Sequence, residues 1–471
     1  MSDRQPEPDV SQPFAPSSEA RARVDALRAL LAQGNLRAAV VGAGKSGRAA
    51  AELLLAQGAE VTLVDDQAVD PFPGIKAAPF SAQTLELAEL VVLSPGVPRS
   101  RPELAASIGR GKLVGEIELA SWFIKAPLVG ITGTNGKSTT TALTAHLLAS
   151  AGKKVFAGGN LGEPLSRLAL SKDPVDVAVV ELSSYQLESL IDARFAVACW
   201  LNLTPDHLDR YPNLDVYGAA KRRLIEQRSV HGTAVLNAKD RACARAGIQL
   251  GGRVRWFAAE AHSDLAGPFG TVLRSEDTAI RTVEGATEAY DLATPSLLGH
   301  HNRSNAIAAI ECARHFDVYS DAIQRGLHSF RGLPHRLELI REVGGVSWYN
   351  DSKATNVDSS ITGVTALPGP IILIVGGKDK GSPWAPLVEA GQGKVKAVLA
   401  IGQATLLVMA AYAGRVPLLE ENGTLEQAVK RARGLAAPGD QVLLSPACAS
   451  FDQFKNYEHR GEVFRGLVEA L

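Results

Sequence analysis

The sequence predicts an α/β protein of three domains, each a mostly parallel sheet covered by helices. Short apolar runs alternate with helical patterns along most of the chain, and several of these runs end directly in glycine-rich turns. The length of 471 residues also agrees with about three domains. Prolines among polar residues predict a disordered lead-in over 1–20, and the predicted domains are 21–115, 116–331 and 332–471.

Composition and charge are those of an ordinary globular protein. Hydrophobic residues make up 46% of the chain and charged residues 21%. The net charge of −1 gives no reason to expect nucleic acid or a membrane surface as a partner. The apolar runs are shorter than the ~20 residues of a membrane span, no secretion signal opens the chain, and the four cysteines lack metal-binding spacing. We therefore expect a cytoplasmic monomer with reduced thiols.

The first domain opens with a βαβ pattern. The strand Ala38–Val41 precedes the glycine-rich turn Gly42–Gly47, and a second strand ends at Asp65 and Asp66. A G-x-G-x-x-G turn with an acidic residue about twenty positions later is typical of a Rossmann-like domain. The turn 94–98 follows another strand and is expected at the same sheet edge. Such a turn suits NAD, but it also suits any other diphosphate.

The second domain carries a phosphate-binding loop. Residues 130–140 read G-I-T-G-T-N-G-K-S-T-T, after an apolar strand and at the start of a helix. In this arrangement backbone N–H groups converge on phosphate oxygens, Lys137 reaches the terminal phosphates, and Ser138 offers its hydroxyl to magnesium. Ile131 stands where the usual pattern has its first glycine, a variant that we associate with ATP-dependent amide ligases. The loop therefore predicts binding of a nucleoside triphosphate.

Polar residues end two further strands of this domain. The strand 175–181 ends in Glu181, and His207 follows the strand 196–201. Because parallel strands end at one edge of a sheet, we expect both side chains beside the phosphate loop, where oxygen and imidazole ligands suit magnesium. The alternatives are a solvated carboxylate and a histidine that caps a helix. A helix is predicted over 306–315.

The third domain repeats the α/β pattern after a glycine- and proline-bearing hinge at 330–334. Its predicted strands are 371–375, 397–401 and 441–444, and each ends in glycine or serine. This arrangement predicts another helix-covered parallel sheet with loops at its carboxyl edge.

Seven segments together resemble the Mur ligases of peptidoglycan synthesis. In chain order they read G-x-x-G-T-N-G-K-S, E-L-S-S-Y-Q-L-E, D-H-L-D-R-Y, H-N-R-S-N, L-P-H-R-x-E, N-D-S-K-A-T-N and S-P-A-C-A-S-F-D-Q-F-K-N-Y. The resemblance runs from about Leu36 to the C-terminus. The last two segments favour the members that add D-glutamate to UDP-N-acetylmuramoyl-L-alanine. Folylpolyglutamate synthase shares the general plan, but it is not expected to carry those two segments.

The resemblance implies a role for each domain. A Rossmann-like N-terminal domain would bind the UDP-sugar, the central P-loop domain ATP and Mg²⁺, and a C-terminal Rossmann-like domain D-glutamate. The acceptor carboxylate would be phosphorylated by ATP and then attacked by the incoming amine, chemistry that depends on positive charge and positioning. Two alternatives stay open: an amide ligase for another acceptor or amino acid, and an NAD-dependent dehydrogenase built on Gly42–Gly47.

The resemblance also implies catalytic and nucleotide-binding residues. Lys221 matches the family lysine that is carbamylated, although by itself it reads as a solvated helix lysine. His335 and Arg336, next to the hinge, would reach the γ-phosphate. The implied catalytic residues are Lys137, Glu181, His207, Lys221 and Arg336, and the implied magnesium ligands are Ser138, Glu181, His207 and Lys221. The implied nucleotide-binding residues are Gly133, Thr134, Asn135, Gly136, Lys137, Ser138, Thr139, Asn302, Arg336 and Asp351.

The substrate positions follow from the same resemblance. The sugar nucleotide is expected at Lys45, Ser46, Asp65, Asp66, Gly96, Asn160 and His207. D-glutamate is expected at Lys353, Thr355, Lys380, Ser450 and Tyr457, where cations and hydroxyls can hold its side-chain carboxylate. Because the segment 376–380 reads G-G-K-D-K instead of the family's G-G-D-G-K, Lys378 competes with Lys380. Tyr457 stands where phenylalanine is also familiar, so its phenol is given no role.

Overall fold

The computed structural model describes residues 14–68, 73–208, 210–250, 253–260, 270–275, 277–283 and 286–471. Residues 1–13 of the predicted lead-in, and Asp209 of the D-H-L-D-R-Y segment, lie outside the described residues. The chain divides into two compact units, one of Met1–Asp291 with Ser304–Gly326 and one of Leu292–Arg303 with Leu327–Leu471. Within the described part of the chain, no helix combines the length and the apolar character needed to cross a bilayer.

The N-terminal sheet of the first unit has five parallel strands. Its elements are α1 (Ser18–Ala32), β1 (Arg37–Val41), α2 (Lys45–Ala56), β2 (Glu60–Asp65), β3 (Lys76–Pro79), α3 (Ala82–Leu87), β4 (Leu90–Leu93), α4 (Ala105–Gly109), β5 (Leu113–Gly115) and α5 (Glu116–Ser121), with a 3₁₀ turn at Pro102–Leu104. The strand order is β3-β2-β1-β4-β5. The order reverses at β1, so the loops after β1 and β4 flank the crevice in which open α/β sheets bind ligands.

The first helix begins inside the segment that the sequence assigns to the lead-in. Ser17 caps α1, because its hydroxyl oxygen accepts the N–H of Ala20 at 3.1 Å. Val24, Leu27 and Leu31 are buried at helical spacing, as the apolar pattern predicts.

The central sheet of the first unit has nine strands. Its elements are β6 (Leu128–Thr132), α6 (Lys137–Ser150), β7 (Val155–Gly159), α7 (Leu165–Leu170), β8 (Val177–Glu181), α8 (Ser184–Leu187), β9 (Phe195–Trp200), α9 (Leu214–Glu226), β10 (Arg228–Asn237), α10 (Arg241–Leu250), β11 (Val254–Ala258), β12 (Gly270–Ser275), β13 (Thr278–Val283), β14 (Ala286–Asp291), α11 (His300–Arg314) and α12 (Ser320–Ser329). A 3₁₀ turn at Pro295–Leu297 precedes α11.

The strand order places the phosphate-loop strand in the middle of this sheet. The order is β14-β13-β12-β11-β10-β9-β6-β8-β7, parallel except for the β12–β13–β14 meander. Since β6 pairs with both β8 and β9, the segments after these three strands meet at one edge. Three predicted elements shift: β8 begins at Val177, β9 lies one residue before the predicted strand 196–201, and α11 begins six residues before the predicted helix 306–315.

The C-terminal sheet has six strands in the order β15-β16-β20-β17-β18-β19, and only β15 is antiparallel. Its elements are β15 (Glu338–Val343), β16 (Val346–Asn350), α13 (Val357–Ala366), β17 (Ile371–Gly376), α14 (Ala385–Ala390), β18 (Val395–Ile401), α15 (Thr405–Tyr412), β19 (Leu418–Gly423), α16 (Leu425–Leu435), β20 (Gln441–Leu444) and α17 (Tyr457–Glu469). Buried residues cover both faces of the sheet. The predicted α/β class with three mostly parallel sheets is therefore confirmed.

Candidate active site

The phosphate loop is held by hydrogen bonds to the loop after β9. The N–H groups of Thr134 and Asn135 donate to the carbonyl oxygen and side-chain oxygen of Asn202, at 3.1 and 2.9 Å. Gly136 has a φ of 83°, and a Cβ there would lie 2.2 Å from Oδ1 of Asn305. A glycine is therefore required at this position for both conformation and space. Ser138 and Thr139 lie in the first turn of α6, so the predicted loop-to-helix geometry is present.

Two lysines converge on this loop. Nζ of Lys137 donates to the carbonyl oxygens of Gly133 and Thr134, at 2.9 and 2.8 Å. Nζ of Lys221, on α9, donates to the same Gly133 oxygen at 2.8 Å. The side chain of Lys221 is buried, so its reading as a solvated helix lysine is wrong. Burial, together with the charge of Lys137, lowers the pKa of Lys221 to about 6. Lys221 is thus largely an uncharged amine at neutral pH.

Glu181 and Asn160 form a pair at the ends of neighbouring strands. Nδ2 of Asn160 donates to Oε1 of Glu181 at 2.8 Å, and the two residues are also joined by a backbone hydrogen bond. Oε2 of Glu181 is buried and has no hydrogen-bond partner among the described residues. A buried carboxylate oxygen of this kind requires a compensating charge or donor, so it fits a bound cation.

His207 lies in the loop after β9 with a φ of 52°, which is unusual for a residue other than glycine. Its Nδ1 is 2.8 Å from the hydroxyl of Tyr185, and its ring packs edge-on against Tyr217 at 5.9 Å between centroids. The Tyr217 ring in turn lies 4.5 Å from Nζ of Lys221. The histidine is therefore linked to Lys221 through one aromatic ring, and its reading as a simple helix cap finds no support.

The donor set around the loop suits magnesium only in part. Ser138, Glu181 and His207 supply hydroxyl, carboxylate and imidazole, which are acceptable ligands for this ion. Among the described residues, however, no group of three His, Cys, Asp or Glu side chains is arranged to hold a metal. A magnesium ion here would need further ligands from phosphate oxygens or from a modified Lys221.

The two loops predicted at the carboxyl edge of the first sheet do lie together. The hydroxyl of Ser94 donates to the carbonyl oxygen of Gly42 at 3.0 Å, and a Cβ on Gly47 would lie 1.8 Å from that oxygen. Asp65 accepts the N–H of Ala43 at 2.7 Å, which lowers the pKa of Asp65. The carboxylate therefore closes the glycine-rich turn itself.

The remaining first-domain residues are spread around these loops. Asp66 forms an ion pair with Arg101 at 2.9 Å. Nζ of Lys45 donates to Glu163 at 2.9 Å and to the carbonyl oxygen of Gly162 at 2.8 Å, across the junction with the central sheet. Ser46 is half-buried in the first turn of α2, and Gly96 is exposed in the loop after β4. Lys45 is thus drawn toward the loop that follows Asn160.

A cleft separates the loop after β4 from α8, within the first unit. It is lined by Leu93, Ser94, Pro95, Val97, Gly115, Glu116, Ile117, Tyr185, Gln186, Ser189 and Arg210. Tyr185 therefore faces both this cleft and His207.

In the second unit, two predicted amino-acid contacts come together. Nζ of Lys380 donates to the hydroxyl of Thr355 at 3.4 Å. Nζ of Lys353 lies 5.3 Å from the ring of Tyr457. Lys378 instead pairs through its backbone with Ala449, next to Ser450, which is buried. This geometry favours Lys380 over Lys378 as the side chain that shares a site with Thr355.

The segment after the hinge packs into the second unit. His335 has a φ of 63° and its ring is buried, 3.1 Å from Nδ2 of Asn350. Its side chain therefore packs within the second unit, and a contact of His335 with the γ-phosphate stays a prediction. The next residue, Arg336, is half-buried, and its charge offsets a small part of the rise that burial causes in the pKa of Asp351.

Asp351 lies inside a hydrogen-bond network. Its two oxygens accept the hydroxyl of Ser445 at 2.8 Å and the N–H of Leu337 at 3.2 Å. Burial, only partly offset by these bonds, raises its pKa to about 7. A ribose contact by Asp351 stays a prediction.

Sequence reasoning missed Arg460, which joins two of the matched segments. Its guanidinium is buried and donates to the hydroxyl and carbonyl oxygens of Ser352, at 3.0 and 2.8 Å, and to the carbonyl oxygen of Cys448 at 3.2 Å. Arg460 thus fixes the N-D-S-K and S-P-A-C loops to each other. The available signal was its position four residues before Phe464, on the apolar face of α17.

Asn305 and Asn202 were also missed as supports of the phosphate loop. Asn305 lies one helical turn after Asn302, whose Nδ2 donates to the carbonyl oxygen of Leu298 at 3.0 Å. The H-N-R-S-N segment therefore contains a second asparagine, Asn305, whose side chain lies against Gly136 of the phosphate loop.

Comparison with known families gives three matches in chain order. The model described as "Mur ligase MurD-like, N-terminal domain" matches residues 36–115. The model described as "Mur ligase middle domain" matches 131–313, and the one described as "Mur ligase, glutamate ligase domain" matches 335–448.

Two curated relatives are similar over almost their whole length. The UDP-N-acetylmuramoylalanine–D-glutamate ligase of Anaeromyxobacter dehalogenans is 48% identical over 456 residues, which covers 92% of this chain and 97% of the relative. The enzyme of the same name from Myxococcus xanthus is 46% identical over 454 residues, covering 94% of this chain and 100% of the relative.

Solved structures share the fold. UDP-N-acetylmuramate–alanine ligase MurC from Thermotoga maritima has a TM-score of 0.58 at 17% identity, covering 92% of this chain and 99% of that chain. The MurF ligase from Thermotoga maritima, solved in complex with ADP, has a TM-score of 0.58 at 18% identity, covering 92% and 95%.

Proposed function

The chain belongs to the Mur ligase family, and we propose that it joins D-glutamate to UDP-N-acetylmuramoyl-L-alanine with conversion of ATP to ADP and phosphate. The observation that carries the proposal is the 48% identity, over nearly the full length of both chains, to a ligase named for this reaction. The convergence of Lys137 and Lys221 on the phosphate loop supports the ATP-dependent step. The other Mur ligases and folylpolyglutamate synthase remain the alternatives for the substrates.

The reaction has two steps. An oxygen of the alanyl carboxylate attacks the γ-phosphorus of ATP, the bond to the β,γ-bridging oxygen breaks, and ADP leaves. The amine of D-glutamate then attacks the carbon of the acyl phosphate and loses a proton, and the tetrahedral intermediate expels phosphate. Both steps bring anions together, so the enzyme must supply positive charge and alignment.

Lys137 supplies positive charge at the phosphates. Its ammonium is held inside the loop by two carbonyl oxygens. The N–H groups of 133–139 and the start of α6 favour the same negative charge. We assign the nucleotide to this loop, and the nucleotide contacts of Asn302, Arg336 and Asp351 are assigned by the resemblance to the family alone.

Ser138, Glu181, His207 and Lys221 would hold Mg²⁺, which would neutralise charge on the phosphates and on the acceptor carboxylate. The unpartnered buried oxygen of Glu181 supports this assignment. Lys221 fits only after carbamylation, in which the uncharged amine attacks carbon dioxide and releases a proton. Its lowered pKa supports this reaction, because only the uncharged amine is nucleophilic.

The substrate positions are assigned by the resemblance to the family. The UDP-sugar would lie along the loops that carry Lys45, Ser46, Asp65, Asp66 and Gly96, and its alanyl end would approach Asn160 and His207. D-glutamate would bind at Lys353, Thr355, Lys380, Ser450 and Tyr457. We place this activity in the cytoplasm, in peptidoglycan synthesis, and therefore in cell-wall growth and division.

The test is phosphate release from Mg-ATP with UDP-N-acetylmuramoyl-L-alanine and D-glutamate, L-glutamate or no amino acid. The proposal expects release that depends on both the sugar nucleotide and D-glutamate. Activity with a folate or with another muramoyl acceptor instead would keep the ligase chemistry and reject the assigned substrates. Absence of release with every acceptor would reject the ligase proposal itself.

A further inference from the structure

A large cavity lies between α9 and α10 of the first unit. Its volume is about 830 Å³, which is in the range of pockets that bind small organic molecules. Among the described residues that line it, none has been assigned above to ATP, to magnesium or to a substrate. The cavity is therefore not explained by the proposed reaction.

Much of the cavity lining is apolar. Trp200, the last residue of β9, provides the largest apolar side chain. The two helices contribute small residues, which are Gly218 and Ala219 on α9 and Ala242 and Ala246 on α10. Because these residues have little or no side chain, they leave space between the helices. An apolar ligand group can occupy that space.

Two exposed arginines also line the cavity. Arg241 and Arg245 lie one turn apart on α10, and neither guanidinium forms an ion pair or a hydrogen bond with another described residue. Like charges at this spacing repel each other. Arg241 is also the first residue of α10, where the helix dipole disfavours a cation. A bound anion would relieve both of these unfavourable interactions.

Three other charged side chains line the cavity, and two of them already have partners. Nη1 of Arg222 donates to Oε1 of Gln249 at 2.8 Å, and its Nε lies 3.2 Å from Oε1 of Glu226. The carboxylate of Asp240 accepts three backbone N–H groups. The third, Asp215, is exposed in the first turn of α9. Among the described residues, two unpaired cations therefore outweigh one carboxylate, and the cavity favours an anion.

The cavity and the phosphate loop lie on different sides of α9. Nζ of Lys221 donates to the carbonyl oxygen of Gly133 at 2.8 Å, and Lys221 is not among the described residues that line the cavity. Its neighbours Ala219 and Arg222 on the same helix do line the cavity. A ligand can therefore occupy the cavity without contacting the amine of Lys221.

We propose that the cavity between α9 and α10 binds a small organic anion, with the apolar part of the ligand against Trp200 and its carboxylate or phosphate at Arg241 and Arg245. Guanidinium groups suit both kinds of head group, because they donate paired hydrogen bonds to carboxylate and to phosphate oxygens. The inference goes beyond the proposed ligase function and does not depend on it, since it concerns residues outside that site.

The probe for this site is 8-anilinonaphthalene-1-sulfonate, an aromatic anion whose fluorescence rises in apolar surroundings. Fluorescence titration of the natural protein should show saturable binding. The double variant Arg241→Gln with Arg245→Gln removes two charges at exposed positions, and we expect it to weaken binding of the sulfonate about tenfold or more. The neutral analogue N-phenyl-1-naphthylamine lacks the sulfonate, so its affinity should change little in the same variant.

Two further variants test the place of binding. Ala242→Trp fills the space between the helices and should weaken binding of both probes. Arg274→Gln, which changes an exposed arginine on β12 outside the cavity lining, is the matched control and should leave both affinities unchanged. The inference is overturned if the double arginine variant binds the sulfonate as tightly as the natural protein, or if it loses both probes equally. It is also overturned if Ala242→Trp binds both probes normally, or if Arg274→Gln weakens sulfonate binding to the same extent.

Competition then identifies the head group of the ligand. Benzoate and phenyl phosphate share an aromatic ring and differ in the anionic group. Displacement of the sulfonate probe by either compound supports the proposal and shows which head group the site accepts, whereas displacement by neither overturns it. All of these measurements are made without turnover, so failure of the ligase assay rejects the proposed function separately from this inference.

Discussion

Lys137 and Lys221, which lie on different helices, donate to the same carbonyl oxygen of Gly133, at 2.9 and 2.8 Å. Burial, together with the nearby charge of Lys137, lowers the pKa of Lys221 to about 6. The phosphate loop is therefore served by one charged lysine and one largely uncharged lysine. This division matches the proposed roles of phosphate binding for Lys137 and carbamate formation for Lys221.

Removal of the charged lysine should stop catalysis. Lys137→Ala should lower phosphate release by at least about a thousandfold, because the charge that stabilises the phosphoryl-transfer transition state is lost. Lys154→Ala, an exposed lysine of the same domain, is the control and should keep near-normal turnover. Near-normal turnover of Lys137→Ala would exclude the loop as the ATP site.

The uncharged lysine should be costly for stability and necessary for activity. Lys221→Met keeps the length of the side chain and removes the amine, so we expect loss of turnover together with a gain in the free energy of unfolding. The gain should be on the order of 3 kcal/mol at pH 7 in carbon dioxide-free buffer. In the natural protein the amine of Lys221 takes up a proton when the chain unfolds, and this stabilises the unfolded state. Lys221→Met removes that effect. Urea unfolding measures it, and a large destabilisation would contradict the burial argument.

Lys221→Met should also remove a pH dependence of the free energy of unfolding. The folded pKa of Lys221 is about 6, below its usual value, so between about pH 6 and the unfolded pKa the unfolded chain binds more protons. The contribution of Lys221 to the free energy of unfolding therefore rises with pH across this window. Lys221→Met should therefore exceed the natural protein in free energy of unfolding by an amount that shrinks as the pH rises across this window. An excess that does not depend on pH would contradict the lowered pKa.

Asp351 should produce the opposite trend in the second unit. Its folded pKa is raised to about 7, so between its unfolded pKa near 4 and pH 7 the folded state binds more protons. The free energy of unfolding should therefore fall across this window, and Asp351→Asn should abolish that fall. Urea unfolding at several pH values tests this, and an unchanged slope in the variant would refute it.

The amino-acid pocket can be tested with two neighbouring lysines. Lys380→Ala should raise the KM for D-glutamate about tenfold or more, because the side chain that meets Thr355 can pair with a substrate carboxylate. Lys378→Ala is the matched control, and its KM should change little. Steady-state kinetics at saturating ATP compare the two, and a larger effect at Lys378 would reverse the assignment.

The fold class and the phosphate loop could be predicted from the amino-acid sequence, because both depend on local requirements. Strands and helices follow from apolar spacing, and Gly136 is required by a φ of 83° that few other residues adopt. Glu181 and His207 were placed correctly at strand ends, since parallel strands deliver their ends to one edge.

The burial of the polar side chains and the identity of their partners could be read only from the folded chain. Lys221 reaches Gly133 across 88 residues, and Arg460 reaches Ser352 across 108. Neither burial is visible in a local pattern, where a lysine or arginine in a helix reads as solvated. The tyrosine beside His207 and the inward turn of His335 depend in the same way on long-range packing. The charge state and the orientation of these side chains depend on that packing. The chemistry of the site could therefore be inferred only from the folded structure.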